Sequence, residues 1–278
     1  MSPHPVARPA RFLICIALMA LAACGGGRRE AADPPETRTA PVIRPVDGLP
    51  RSFGDRKPHP WTGRAPARYA VHGTDVSRFQ GRIDWPDARR AGIEFAWIKA
   101  TEGGDRLDPR FGENWREADR AGVARGAYHF FYFCRPAIEQ ARWFIRNVPR
   151  TPGALPPVLD MEWTPFSPTC TIRPPAEHIR SEARIFLEAL ERHYGTRPLI
   201  YSTPDFFERN RMDLLGNYEF WLRSVAGHPS ETYPGHRWTI WQYTGSGLAP
   251  GFYTDVDLNV FNGSRDSWST WLASRRQR

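Results

Sequence analysis

Apolar positions fall into two regimes along the chain. After Ala67, strand-like runs recur at Tyr69–Val76, Phe95–Ala100, Ala124–Phe133, Pro157–Trp163, Pro198–Ser202, Glu219–Ser224, Trp238–Tyr243 and Val256–Phe261. Helical patterning separates the first five. It is clearest from Ala176 to Tyr194, where Ile179, Ala183, Phe186, Leu187, Leu190 and Tyr194 repeat at helical spacing. Gly195 follows as a stop signal. A second helix is expected from Pro136 to Asn147, with Ile138, Ala141 and Ile145 on one stripe. Strands alternating with helices imply a parallel sheet. Eight such strands favour closure, so the expected fold is α/β, an irregular (β/α) TIM-like barrel with five β/α units followed by three β-strands. It should occupy residues 67–275, one domain near the small end for such barrels.

Before Ala67 the pattern differs. Residues 1–23 carry Arg8 and Arg11 ahead of an apolar run, Phe12 to Ala23, as in a secretory signal peptide. The run is shorter than the roughly 17–25 residues that span a bilayer. It ends Leu21-Ala22-Ala23-Cys24, which is similar to the lipobox of bacterial lipoproteins, with Cys24 as the lipidated residue. A plain signal peptide with an incidental cysteine is the alternative. Residues 24–66 are rich in Pro and Arg, poor in apolar residues and aperiodic, and read as a disordered tether. The chain is thus expected to be exported and lipid-anchored to the bacterial envelope, facing the periplasm or the cell surface. Cys15 would leave with the signal and Cys24 would take lipid. Cys134 and Cys170 then remain in an oxidising compartment, where a disulfide is the preferred reading and two buried thiols the alternative.

Composition is that of an ordinary globular chain, so a wholly disordered or fibrous protein is excluded. The net charge is +8, and the basic residues are nearly all Arg; the only lysines are Lys57 and Lys99. Basic charge suits an anionic partner, but no compact Lys/Arg stripe supports nucleic acid. No Cys-x-x-Cys or His-Glu-x-x-His motif supports a metal, and no cofactor is expected. His129, on a strand, reads as a satisfied core residue.

In barrels of this kind the active site sits at the C-terminal ends of the strands. There the chain has Asp75, then Asp160 and Glu162, and at the start of the last strand Asp257. Asp160 and Glu162 are two apart, so on a strand they share a face, with Cα atoms roughly 6.5 Å apart from a rise of about 3.3 Å per residue. Two carboxylates in a partly dry site repel, and one retains a proton near neutral pH. Glycoside cleavage needs one protonated acid and one anion. Aromatics on or beside the strands, among them Tyr128, Tyr201, Trp221 and Trp241, are natural sugar platforms as a set, although each taken singly reads first as core packing. Lys99 and Glu102, at the end of the second strand, either pair with each other or line the cleft.

These residues fall within a set of motifs. Gly73-Thr74-Asp75-Val76-Ser77 with Gln80-Gly81, Trp97-Ile98-Lys99-Ala100-Thr101-Glu102-Gly103, Gly126-Ala127-Tyr128-His129-Phe130 and Pro157-Val158-Leu159-Asp160-Met161-Glu162 come first, followed by Trp241-Gln242-Tyr243-Thr244 and Val256-Asp257-Leu258-Asn259. In order and spacing the set resembles glycoside hydrolase family 25, the muramidase-type lysozymes, from about Tyr69 to Phe261. The resemblance implies cleavage of the β-1,4 bond between N-acetylmuramic acid and N-acetylglucosamine in peptidoglycan. It implies Glu162 as general acid, Asp160 as its charge-stabilising partner, and Asp75 and Asp257 as the other active-site acids. Tyr128, Tyr201, Trp221, Trp241 and Gln242 are the expected substrate contacts. Peptidoglycan strands would be the partner of a monomeric enzyme. Cys134 and the Ser167-Pro168-Thr169-Cys170 insert depart from the core pattern and fit a loop clipped to the third strand. A family 18 chitinase would need Asp at positions 155 and 158, where this chain has Leu155 and Val158. A non-catalytic wall-binding lipoprotein on the same barrel is the remaining alternative.

Overall fold

The computed structural model describes residues 39–277. The expected signal segment and Cys24 lie outside them. Ten strands form one sheet: β1 (Gly54–Asp55), β2 (His72–Val76), β3 (Ile93–Glu102), β4 (Arg106–Leu107), β5 (Ala124–Phe130), β6 (Val158–Met161), β7 (Leu199–Ser202), β8 (Glu219–Arg223), β9 (Ile240–Leu248) and β10 (Val256–Phe261). From β2 through β3, β5, β6, β7 and β8 to β9 all neighbours are parallel. Strand β10 runs antiparallel between β9 and β2 and closes an eight-stranded barrel. This reversal matters. It brings the start of β10 to the rim where the other strands end, so Asp257 pairs with Asp75.

Helices α1 (Trp85–Ala91), α2 (Phe111–Arg120), α3 (Ala137–Asn147), α4 (Ala176–Tyr194) and α5 (Pro204–Arg209) follow the first parallel strands, giving the five expected β/α units. A short α6 (Pro229–Thr232) and a terminal α7 (Arg265–Arg275) complete the set. Helix α1 starts where the Asp84 side chain accepts from the Asp87 amide and stops at Gly92, whose φ of 114° suits glycine. Helix α4 buries the stripe read from its sequence. In α3 the buried face is Ala137, Gln140, Ala141 and Phe144, while Ile138 and Ile145 sit at its edges. Gln140 is inward because it is a polar hub: its Oε1 faces His129 Nε2 at 3.0 Å, and Thr101 Oγ1 lies 2.7 Å from the other ring nitrogen. His129 is thus a fully buried, hydrogen-bonded core residue, and burial lowers its pKa to about 4.

Two apolar clusters result. One fills the layer between strands and helices. The other fills the barrel interior with Val71, Phe95, Trp97, Val158, Leu199 and Ile240, and is plugged at the bottom by Phe261 and by Trp268 of α7. Glycines make room for the rings inside: a Cβ on Gly73 would lie 2.3 Å from the Phe95 ring, and one on Gly126 would lie 2.5 Å from Trp97 Nε1.

The tether expectation needs correction over the described part of residues 24–66. Leu49 and Phe53 are buried in the helix-layer core, Trp61 packs edge-on against Trp241, and β1 adds antiparallel to β9. The segment is a strap. Proline and the lack of periodicity hide it from a pattern search, because it is held by single apolar anchors and one edge pairing rather than by a continuous face. Cys134 and Cys170 are bonded, and Thr164 Oγ1 donates to the Cys170 carbonyl at 2.7 Å, closing the loop that follows β6.

Candidate active site

A cleft of about 290 Å³ opens at the C-terminal rim of the parallel strands. The β6 alternation sends Asp160 inward, directly above Val158, while Leu159 and Met161 join the helix-layer core. Glu162 follows at the strand end and also lines the cleft. Asp75 from β2 and Asp257 from β10 complete the four acids, all of which face the same space.

Their surroundings are unequal. Asp75 is held by a relay of amides: Gln242 Nε2 donates to it at 3.0 Å and Asn259 Nδ2 at 2.7 Å. Each amide is oriented in turn. Tyr201 donates its hydroxyl to Gln242 Oε1 at 2.9 Å, and Trp221 Nε1 donates to Asn259 Oδ1 at 2.8 Å. Even so, burial outweighs these donors and raises the Asp75 pKa to about 6. Asp160 has a buried Oδ1 with no hydrogen-bond partner among the described residues. Burial, then the Glu162 charge, pushes its pKa well above the usual carboxylate range. Burial also raises Glu162, to about 7, against the pull of Arg223 and Lys99. Asp257 is raised by burial and by Asp75. Acids this close titrate as a set, and the set holds protons at neutral pH. Burial keeps the Tyr128 and Tyr201 hydroxyls protonated, as donors.

Of the expected substrate contacts, Tyr128, Tyr201, Trp221 and Gln242 line the cleft. Trp241 does not. It sits in the helix-layer core, with Nε1 donating to the Ser224 carbonyl at 2.7 Å and its ring against Trp61 and Trp238. Adjacent residues on a strand face opposite sides, so Trp241 and Gln242 cannot both reach the cleft. Tyr201 and Trp221 are nearly buried and act more as floor than as platforms. The exposed aromatic at the cleft is Phe79, 68% accessible, with the Arg78 guanidinium over its ring at 4.9 Å. Lys99 and Glu102 satisfy both readings: they pair at 2.6 Å, and Lys99 also lines the cleft. Tyr132 donates to the same glutamate, and Lys99 lies 4.5 Å over the Phe130 ring.

Sequence reasoning missed Arg223 and Phe79, and gave Asn259 and Gln80 no role in the site although both fall in the motif runs. Arg223 had a readable signal. It stands two residues beyond Trp221 at a strand end, the same rule that selected the acids. No group of three or more His, Cys, Asp or Glu among the described residues is arranged to hold a metal ion.

The sequence profile of Glycosyl hydrolases family 25 matches residues 74–252. The chain belongs to this family. It is 35% identical over 210 residues to Lysozyme M1 of Streptomyces globisporus, covering 70% of this chain and 68% of that one. It is 36% identical over 217 residues to the uncharacterized protein YegX of Escherichia coli K12, covering 76% and 77% of the two chains. Among solved structures, a family 25 glycosyl hydrolase from Bacillus anthracis superposes with a TM-score of 0.68 at 35% identity, over 78% of this chain and 98% of that one. A bacterial lysozyme from Streptomyces coelicolor gives 0.65 at 33% identity, over 74% and 97%. This family 25 glycosyl hydrolase extends beyond the matched segment at both ends. The strap precedes it, and β10 follows it with Asp257 and Asn259.

Proposed function

We propose that this glycosyl hydrolase is a muramidase that cleaves the β-1,4 bond between N-acetylmuramic acid and N-acetylglucosamine. The observation that carries the reading is the Asp160–Glu162 pair at the β6 rim of a family 25 barrel, buried enough to hold a proton near pH 7. Glu162 is the less enclosed of the two and stands at the strand end, where a glycosidic oxygen can reach it. It gives its proton to that oxygen as the bond to the anomeric carbon breaks, and the oxygen of a water ends on that carbon while a proton of the water returns to the acid pair. The coupled pair shares one proton: with it on Glu162, the Asp160 carboxylate faces the positive charge that develops on the sugar, and its unpartnered Oδ1 accepts from a substrate N–H or O–H. Asp75, held by Gln242 and Asn259, and Asp257 fix the charge around this pair.

Purified peptidoglycan tests the assignment. Wild type is expected to clear turbidity and release reducing ends on muramic acid, and Glu162→Gln is expected to do neither. Equal activity in both removes Glu162 from its role. New ends on N-acetylglucosamine overturn the muramidase reading. Wall binding with no cleavage by wild type favours the binding lipoprotein instead.

We further propose that the chain is exported, lipidated at Cys24 and held at the bacterial envelope as a monomer. The Leu21-Ala22-Ala23-Cys24 run supports this. Cys24→Ala is expected to move the protein from the membrane fraction to the soluble one, and unchanged partition counts against the anchor.

A further inference from the structure

The cleft holds two cations in contrasting states. The Lys99 ammonium is committed: it pairs with Glu102 at 2.6 Å and both side chains are largely buried. Arg223, at the end of β8 and in register with Gln242 of β9, faces the same cleft half-buried. Its guanidinium has no carboxylate within 4.0 Å and no side-chain hydrogen bond among the described residues. Its charge is felt by Asp75, Glu162 and Asp257, but none of them touches it.

An arginine serving only to neutralise a cleft acid would lie against it, as Lys99 lies against Glu102. Elsewhere in this chain Arg265 grips Glu94 in that way, and Arg275 grips Glu219. Arg223 instead keeps a planar fork of donors open toward the substrate space, the geometry that takes a carboxylate by two parallel hydrogen bonds. The cleft's own acids hold protons near neutral pH, which lessens their repulsion of an incoming anion.

We propose that Arg223 is a specificity residue that binds a carboxylate of the substrate, carried on the lactyl ether of muramic acid or on the peptide stem attached there. The inference rests on the muramidase reading and deepens it. Arg223 selects muramoyl glycan over uncharged polymers of N-acetylglucosamine, which share the β-1,4 linkage and lack the carboxylate.

Three soluble glycans separate the sources: strands with intact stems, strands stripped of stems so that the lactyl carboxylate is free, and stripped strands whose carboxylates have been converted to amides. Wild type, Arg223→Gln and Arg223→Lys are compared by kcat and KM on each. Arg223→Gln is expected to lose about 10- to 100-fold in kcat/KM, mainly through KM, on carboxylate-bearing glycan. On amidated glycan it should match wild type, and Arg223→Lys should recover part of the loss. Loss only with intact stems assigns the stem carboxylates, and loss with stripped strands assigns the lactyl group. Equal fractional loss on charged and amidated glycan overturns the proposal, as does a shifted pH profile with KM unchanged; either would make Arg223 a counter-charge for the acids. Binding of the same three glycans by Glu162→Gln, with and without Arg223→Gln, reads the discrimination without turnover. Absence of cleavage by wild type therefore falls on the muramidase reading and leaves this one tested.

Discussion

The lower and upper halves of the barrel interior are built on the same inward-facing rows, yet they have opposite chemistry. On β6 the row reads Val158, Asp160, then Glu162; on β3 it reads Phe95, Trp97, then Lys99. Leu199 is followed by Tyr201, Trp221 by Arg223 and Ile240 by Gln242. On β2, Gly73 lies below Asp75, and on the reversed β10 the order runs Phe261, Asn259, Asp257. Each row turns polar within a residue or two of the rim. The lower half is a dry aromatic plug whose burial stabilises the fold. The upper half buries four carboxyls at a cost, and that cost is what raises their pKa values.

Removing one member from each half should therefore give opposite signatures. The largest effect is expected for Glu162→Gln, with kcat reduced about 10²- to 10⁴-fold on peptidoglycan and the fold intact. A loss below tenfold would place the working proton elsewhere in the set. Trp97→Ala empties the plug. Trp97 is fully buried, packs against Phe95 and Trp221, and donates to the Pro156 carbonyl at 3.0 Å. Unfolding free energy should fall by about 3–5 kcal/mol, seen in a denaturant titration. A change under about 1 kcal/mol would show that the plug is not where stability resides.

The acids should show the reverse sign. A carboxyl whose folded pKa lies above its unfolded value binds its proton more tightly in the native state. Its contribution is present below the unfolded value and is lost as pH rises through the folded one. For Glu162, with a folded value of about 7, stability should decline from about pH 4.5 to pH 7. Glu162→Gln should remove that part of the decline and gain about 1–3 kcal/mol at pH 8. Activity of the wild type should fall on the alkaline side through about pH 7, as the acid loses its proton. A wild-type stability that rises between pH 5 and 8, or an alkaline limb far above 7, would break the comparison.

Much of this was legible in the chain. Period-2 spacing put Asp160 and Glu162 on one face, and acids at strand ends marked the rim. The cysteine pair was read by elimination, and the five β/α units by alternating periods. What escaped did so for physical reasons. Trp241 was assigned to the cleft with Gln242 because both are attractive sugar contacts, and the alternation of a strand allows only one. Arg223 was passed over because the strand-end rule was applied to acids alone. The strap reads as tether because Leu49, Phe53 and Trp61 are anchors without a period, and their partners are distant in the chain: Phe53 meets His72 and Trp61 meets Trp241.

The strap also reaches the rim, where the smallest effect is expected. Asp55 Oδ1 accepts from Ser246 Oγ at 2.7 Å, the Arg56 amide donates to the Ser246 carbonyl at 2.9 Å, and Arg56 pairs with Asp255. The Asp255 carbonyl accepts from Gln80 Nε2 at 3.2 Å, and Gln80 lines the cleft. A chain of contacts thus runs from the strap to the wall of the cleft. The Arg56 and Asp255 side chains are 52% and 40% exposed, however, so solvent screens their attraction. The backbone bonds and the buried Phe53 hold the strap without it. Arg56→Ala should change stability by less than about 0.5 kcal/mol and leave kcat/KM on peptidoglycan unchanged. A tenfold loss of kcat/KM at unchanged stability would show the opposite: the exposed pair would then be aligning Gln80 and Asp257, and the polar half of the barrel would extend into the strap.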